Sequence, residues 1–350
     1  MTEKTTMLAS DNASGVHPAV MQWLNRVNEG HAVGYGGDRW THEANERFKQ
    51  IFGPDVDVYM VTTGTATNVL CLQALAQSVD AVFCSDKAHL LVDECGAVEH
   101  SVGCQLVGIG GADGKIDLQA LEQAVVFHTG LVHRTRPRVL SFSQATEYGT
   151  VYSIAEIKAL VGFARDHGLK VHMDGSRLAN AACALNMSLP ALTRDLGIDL
   201  LSFGGTKNGL MMAEAIVNFD PSIKEALPFI RKQGMQLISK QRFLAAQYLA
   251  YFENDLWQHN ARQANRMAAY LAKKLSAFPQ VQIAAPPEIN MVFARIPASW
   301  IQPLQQVLYF NVWNPKTSEV RFVTSFDTTE QDLDRFIATM SQLAQKGASS

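Results

Sequence analysis

The sequence predicts an α/β protein, with a mainly parallel sheet domain over residues 1–250 and a smaller C-terminal α+β domain over 251–350. Three observations lead there. Between about residues 55 and 220, short β-branched runs alternate with helical segments, the pattern of a parallel sheet covered on both faces. After about residue 221 the texture changes to a long, mostly helical stretch and then to a few short strands. The 350 residues also exceed the roughly 100–200 of a usual single domain, which leaves room for a second core.

The elements follow in order. VDVYMV (56–61) predicts a strand and ATNVLCLQALAQ a helix, AVFCS the next strand, and LVGIG another after a glycine-containing passage. RVLSFS (138–143) is followed by SIAEIKALVGFARDHG, where Ser153 caps a helix, Glu156 completes a capping box and Gly168 closes the helix. KVHMD (170–174), DLLSFG (199–204) and EAIVNF (214–219) supply three further strands. The helical stretch to Ala277 repeats apolar residues near helical spacing at Leu237, Phe243, Leu244, Tyr248 and Tyr251. VQIA (281–284), NMVFARI (290–296), a helix, VRFVTSF (320–326) and a closing helix from about Thr329 complete the chain. Met1–Thr6 and Lys346–Ser350 are expected to be disordered.

Composition narrows the function. Thirty Lys plus Arg against 33 Asp plus Glu give a net charge of −3, and 18% charged residues is low, so nucleic acid is not an expected partner. Apolar residues lie in short runs, none near the roughly 18 of a membrane helix, and MTEKTTMLAS has no secretory leader, so the expected location is the cytoplasm. Cysteines 71, 84, 95, 104 and 183 form no CxxC pair and are expected to be buried free thiols. The ten histidines show no HExxH spacing and no metal site is expected. The five tryptophans, at 23, 40, 257, 300 and 313, are assigned to packing.

Three turns carry chemistry. TTGTATN (62–68) ends a strand and opens a helix with glycine and hydroxyls, which suits a phosphate and equally an ordinary cap. HMDGSR (172–177) puts Asp174 at the carboxyl end of a strand, either facing a ligand crevice or capping its own turn with Arg177 as partner. FGGTKNG (203–209) flanks Lys207 with glycines, where a desolvated amine becomes a nucleophile for carbonyls, although a surface-turn lysine is commoner. Their succession along one sheet edge favours a single ligand site.

These turns, with SDNASG (10–15), GYGGDRWT (34–41), AHLLVDECGA (88–97) and VRFVTSFD (320–327), resemble the aspartate-aminotransferase-like (fold type I) pyridoxal-phosphate enzymes. Within them the sequence is most similar to the threonine aldolases of the β-eliminating lyase family, in particular the bacterial low-specificity branch that includes phenylserine aldolases. The resemblance implies pyridoxal 5'-phosphate as cofactor and retro-aldol cleavage of β-hydroxy-α-amino acids to glycine and an aldehyde. Lys207 would hold the cofactor as a Schiff base, Asp174 would pair with its pyridine nitrogen, His89 would stack on its ring, and Gly64 and Thr65 would bind its phosphate. Ser10, Arg177 and Arg321 match the substrate-carboxylate ligands, with Arg177 also counted among the cofactor contacts. Tyr35 and the cofactor-binding Arg231 match positions presented from a neighbouring subunit, which implies a homodimer or homotetramer with shared active sites. His133 matches a second histidine acting on the β-hydroxyl. TEYGT (146–150) departs from the Thr-His-Asn-Gly of many relatives, and DGSR from their Asp-Gly-Ala-Arg, which bears on substrate preference.

The chemistry of the residues agrees. A carboxylate beside the pyridine nitrogen favours the protonated ring, a far stronger electron sink than neutral pyridine. Arginines on the substrate carboxylate fix which bond at Cα stands perpendicular to that ring, and a histidine of near-neutral pKa suits transfer of the hydroxyl proton.

Overall fold

The computed structural model describes residues 6–348. Its large sheet has seven strands: β1 (Asp57–Val61), β2 (Asp80–Ser85), β3 (Gln105–Ile109), β4 (Arg136–Ser143), β5 (Lys170–Gly175), β6 (Leu200–Gly204) and β7 (Glu214–Asn218). Their spatial order is β1-β7-β6-β5-β4-β2-β3, and β7 alone runs antiparallel to its neighbours. The mainly parallel sheet expected from the sequence is therefore present. Every residue of β2, β6 and β7 is buried, as for strands covered on both faces.

One face is covered by the Arg39–Phe52 and Arg242–Phe252 helices, where Phe48 packs edge-on against Tyr248 and Phe252 with ring centroids 4.8 and 4.9 Å apart. Such aromatic pairs add about 0.5–1.5 kcal/mol each beyond their buried area. The other face carries the Gly64–Leu75 helix, whose Leu70, Cys71, Leu72 and Leu75 join Val82, Val139, Leu200 and Ile216 in a second cluster.

The small domain has four antiparallel strands, β8 (Gln282–Ile283), β9 (Met291–Arg295), β10 (Asn311–Asn314) and β11 (Glu319–Val323), in the order β10-β11-β9-β8. β10 has no counterpart among the predicted strands. The helical stretch after residue 221 is broken into Leu227–Gln233, Arg242–Phe252 and Leu256–Leu275, the last two separated by Asn254 and Asp255 in left-handed conformation. The Leu256–Leu275 helix buries Trp257 and Ala261 in the large core and Met267, Ala268, Leu271 and Leu275 in the small one. Leu8, near the chain start, also lies in the small core, its N–H donating to Tyr309 O at 2.7 Å.

Two expectations change. Thr6 is buried and Lys346 is still in the closing Glu330–Ala348 helix, while residues 1–5 and 349–350 lie outside the described residues. All five cysteines are free, but only Cys71, Cys84 and Cys104 are buried; Cys95 is exposed and Cys183 half-buried. Among the described residues no helix is long and apolar enough to cross a membrane.

Candidate active site

The site is built on the carboxyl edge of the parallel strands, where Ser143, Asp174 and Ser202 stand side by side in register on β4, β5 and β6. Asp174 is buried. Its Oδ1 accepts from the Ser176 N–H at 2.9 Å and the Ser176 hydroxyl at 2.7 Å, and its Oδ2 from the Asn68 amide at 3.0 Å. Burial pushes this carboxyl up, but the Lys207 charge and the hydrogen bonds outweigh it and hold it below the usual carboxylate range. Asn68 Nδ2 also donates to Glu94 Oε1 at 2.8 Å, and that oxygen lies 2.8 Å from His89 Nδ1. The hydrogen bond to Glu94 raises the His89 pKa against the opposing effects of burial and Lys207. The His89 backbone N–H donates to Glu147 Oε1 at 2.9 Å, which also accepts from the Ser143 hydroxyl at 2.7 Å. One chain of hydrogen bonds thus ties His89 to Asp174.

Lys207 sits in the 3-10 turn Thr206–Asn208 directly after β6. Glycine at 204 is required here, since a Cβ would lie 2.5 Å from the Ser176 carbonyl oxygen, so only glycine lets this turn close on the Asp174 turn. The buried Glu214, paired with Gly204 across β6 and β7, accepts from the amides of Gly205 at 3.1 Å and Thr206 at 3.4 Å. Burial and the neighbouring Arg177 charge lower the Lys207 pKa, with Asp11, Asp174 and Glu214 pulling the other way. A lysine so placed gives up its proton more readily than one in water.

The two arginines differ in kind. Arg177 makes a bidentate pair with Asp11, Nε to Oδ2 and Nη2 to Oδ1 both at 2.8 Å, and Asn290 Nδ2 adds a third bond to Asp11 at 3.0 Å. Arg321, on β11, forms no ion pair among the described residues, and its buried Nε has no hydrogen-bond partner. Burial and the repulsion of Arg177 lower its pKa, opposed by Asp11 and Asp93.

At the start of the Gly64–Leu75 helix, Thr63 Oγ1 accepts the Ala66 N–H at 3.1 Å and the Thr63 carbonyl the Thr67 N–H, which leaves the Gly64 and Thr65 amides for another acceptor. Gly64 faces Ser176. Ser10 caps the 3-10 turn Asp11–Ala13, its hydroxyl accepting the Asn12 N–H at 3.1 Å. Lys207, Asp174, His89, Arg177 and Arg321 thus interact as one charged cluster, with Ser10 beside Asp11 and Gly64 beside Ser176.

Three predicted residues stand apart. Tyr35 is 58% exposed, with Lys232 Nζ 5.3 Å from its ring, and Arg231 is buried against Tyr59. Neither bonds to Lys207, Asp174 or Arg177 of its own chain. His133 is exposed in the loop before β4, at the amino edge of the sheet, whereas Asp174 is level with the last residue of β4. Its own chain does not bring His133 to the cluster. Conversely, the sequence reading passed over Asp11, Asn68, Glu94, Glu147 and Glu214, although Asp11, Asn68, Glu94 and Glu147 lie inside motifs quoted above.

The fold is the aspartate-aminotransferase-like one of the pyridoxal-phosphate-dependent fold type I enzymes. A pyridoxal-phosphate-dependent aminotransferase of Streptococcus suis shares the fold at 15% identity, with a TM-score of 0.73 over 97% of this chain and 93% of that one. The chain belongs to the β-eliminating lyase family, which it matches across residues 7–299. It is 38% identical to a low specificity L-threonine aldolase of Pseudomonas aeruginosa over 340 residues, 96% of each chain. A threonine aldolase structure from Leishmania major superposes with a TM-score of 0.90 at 27% identity, covering 96% of this chain and 99% of that one.

Proposed function

We propose that the protein is a pyridoxal-phosphate-dependent aldolase that cleaves L-threonine, L-allo-threonine and related β-hydroxy-α-amino acids such as phenylserine to glycine and an aldehyde. The observation that carries this reading is the buried, ionised Asp174 beside the desolvated Lys207, in a chain 38% identical across its length to a low specificity L-threonine aldolase.

The residues present fit the cofactor. The Gly64 and Thr65 amides open a helix with no acceptor of their own, and Gly64 faces the Ser176 hydroxyl that Asp174 holds, so two donors suited to a phosphate stand next to the Asp174 turn. Asp174 supplies a carboxylate that is charged at neutral pH, as a protonated pyridine nitrogen requires. The cofactor, when bound, supplies an electron sink for the pair released as the bond at Cα breaks.

The chain's own groups do the rest. Lys207 provides a readily deprotonated amine for the cofactor aldehyde, and Asp174 would pair with the protonated ring nitrogen. His89, its imidazole oriented by Glu94, would stack on the ring. Ser10, Arg177 and Arg321 receive the substrate carboxylate and so fix the torsion about N–Cα.

Tyr35 and Arg231 reach the site of a neighbouring copy in a homodimer or homotetramer. His133 takes part only in another copy's site, and the apolar Phe127, Leu131 and the 98% exposed Val132 beside it suit a contact with such a copy. The cofactor-binding domain is assigned to residues 1–250 and the small domain to 251–350, with Leu8 crossing over to pack in the small core. Five free cysteines agree with a cytoplasmic location.

The test is product identification with a panel of β-hydroxy-α-amino acids. Glycine and an aldehyde are expected; ammonia and a keto acid would overturn the reading.

A further inference from the structure

The irregularity in the small sheet falls at one residue. Along β10 and β11, Asn311 pairs with Arg321 and Val312 with Val320, but Asn314 then pairs with Glu319, so Trp313 is an extra residue in the ladder, a β-bulge. Bulges bend a strand and re-aim a side chain. Here the Trp313 ring lies over Arg321, with the guanidinium carbon 4.8 Å from the ring centroid. The ring is itself held edge-on by Phe293 at 5.4 Å and Tyr148 at 5.8 Å between centroids. Phe293 is the direct cross-strand neighbour of Arg321 on β9.

The contrast with Arg177 gives this arrangement its meaning. Arg177 is fixed by the bidentate Asp11 carboxylate, which cancels its charge locally. Arg321 makes no ion pair among the described residues and keeps an unpartnered buried Nε. A π face attracts a cation without neutralising it. We infer that Trp313 is a positioning residue that holds Arg321 in the cleft with its charge uncancelled, so that Arg321 supplies the net positive charge for the substrate carboxylate. The inference rests on the aldolase reading and assigns Trp313 a role that packing alone does not.

The test is equilibrium binding of glycine and of glycinamide, which lacks the carboxylate, to the holoenzyme, followed by absorbance and calorimetry, in wild type, Trp313→Leu and Trp313→Phe. Trp313→Leu is expected to weaken glycine by about tenfold and leave glycinamide and cofactor affinity within about twofold; Trp313→Phe, which keeps a weaker π face, should lose about threefold. Threonine cleavage should follow as a raised KM with kcat nearly unchanged. Should the leucine variant fail to fold, the phenylalanine variant carries the same comparison. Wild-type affinity for glycine in the variants, or an equal loss for glycine and glycinamide, would overturn the inference. A wild-type enzyme that binds glycinamide but not glycine would instead count against the aldolase reading, and the role of Trp313 would fall with it.

Discussion

At the scale of single residues, the site is a balance of burial against charge. Asp174 is buried yet held ionised by Lys207, Ser176 and Asn68, so Asp174→Asn should keep the cofactor bound while slowing every bond cleavage by about 10²–10³-fold. Single-turnover kinetics check this, and near-wild-type rates would remove the electron-sink role. Glu214 shows the opposite outcome: burial outweighs the Thr206 hydroxyl, the Lys207 charge and its two amide donors and raises its carboxyl from 4.5 to about 7. The folded protein then binds this proton more tightly than the unfolded chain. Its contribution to stability is full below pH 4.5 and declines, by up to roughly 3 kcal/mol, as pH rises to about 7. Urea midpoints for Glu214→Gln should therefore lose that decline, and an unchanged pH dependence would contradict it. The sequence made Asp174 and Lys207 legible because strand ends and glycine turns are local patterns. Glu214 and Glu94 were not, since their roles depend on a cross-strand pairing with Gly204 and on a hydrogen bond to His89, neither of which local pattern encodes.

At the scale of elements, strong local signals read true. The Ser153 hydroxyl accepts the Glu156 N–H at 3.3 Å and Glu156 Oε2 accepts the Ser153 N–H at 2.7 Å, the capping box expected from sequence. Ser153→Ala should cost about 1 kcal/mol by denaturant unfolding and leave cofactor affinity untouched; a loss of cofactor would mean the helix does more than support the sheet. β10 escaped notice for a physical reason. It is four residues long with asparagine at both ends, it carries the Trp313 bulge, and it is specified by pairing with β11 rather than by its own composition. The break at Asn254 and Asp255 was equally hidden, because both adopt the left-handed region without the glycine that usually announces it.

At the scale of the molecule, Tyr35 and Arg231 lie away from the cleft of their own chain, while Val33, Phe229 and Met235 expose apolar surface near them. Hybrids of a Lys207→Ala subunit and a Tyr35→Ala subunit should recover part of the activity that each homo-oligomer lacks, because one site per pair regains a full set of residues. A fully active monomer by light scattering during assay would exclude shared sites. The cleft is also assembled from distant parts of the chain: Asp11 grips Arg177 and Asn290, and the Leu8 carbonyl receives the Val323 N–H at 2.8 Å. Its first ligands therefore leave the ribosome long before their partners are synthesised. A nascent chain carries Asp11 as an unpaired acid until Arg177 emerges, and Leu8 waits for nearly the whole message to be read. Chains arrested before β11 should accordingly be open to protease at their amino terminus, and release of the last segment should close that window in one late step.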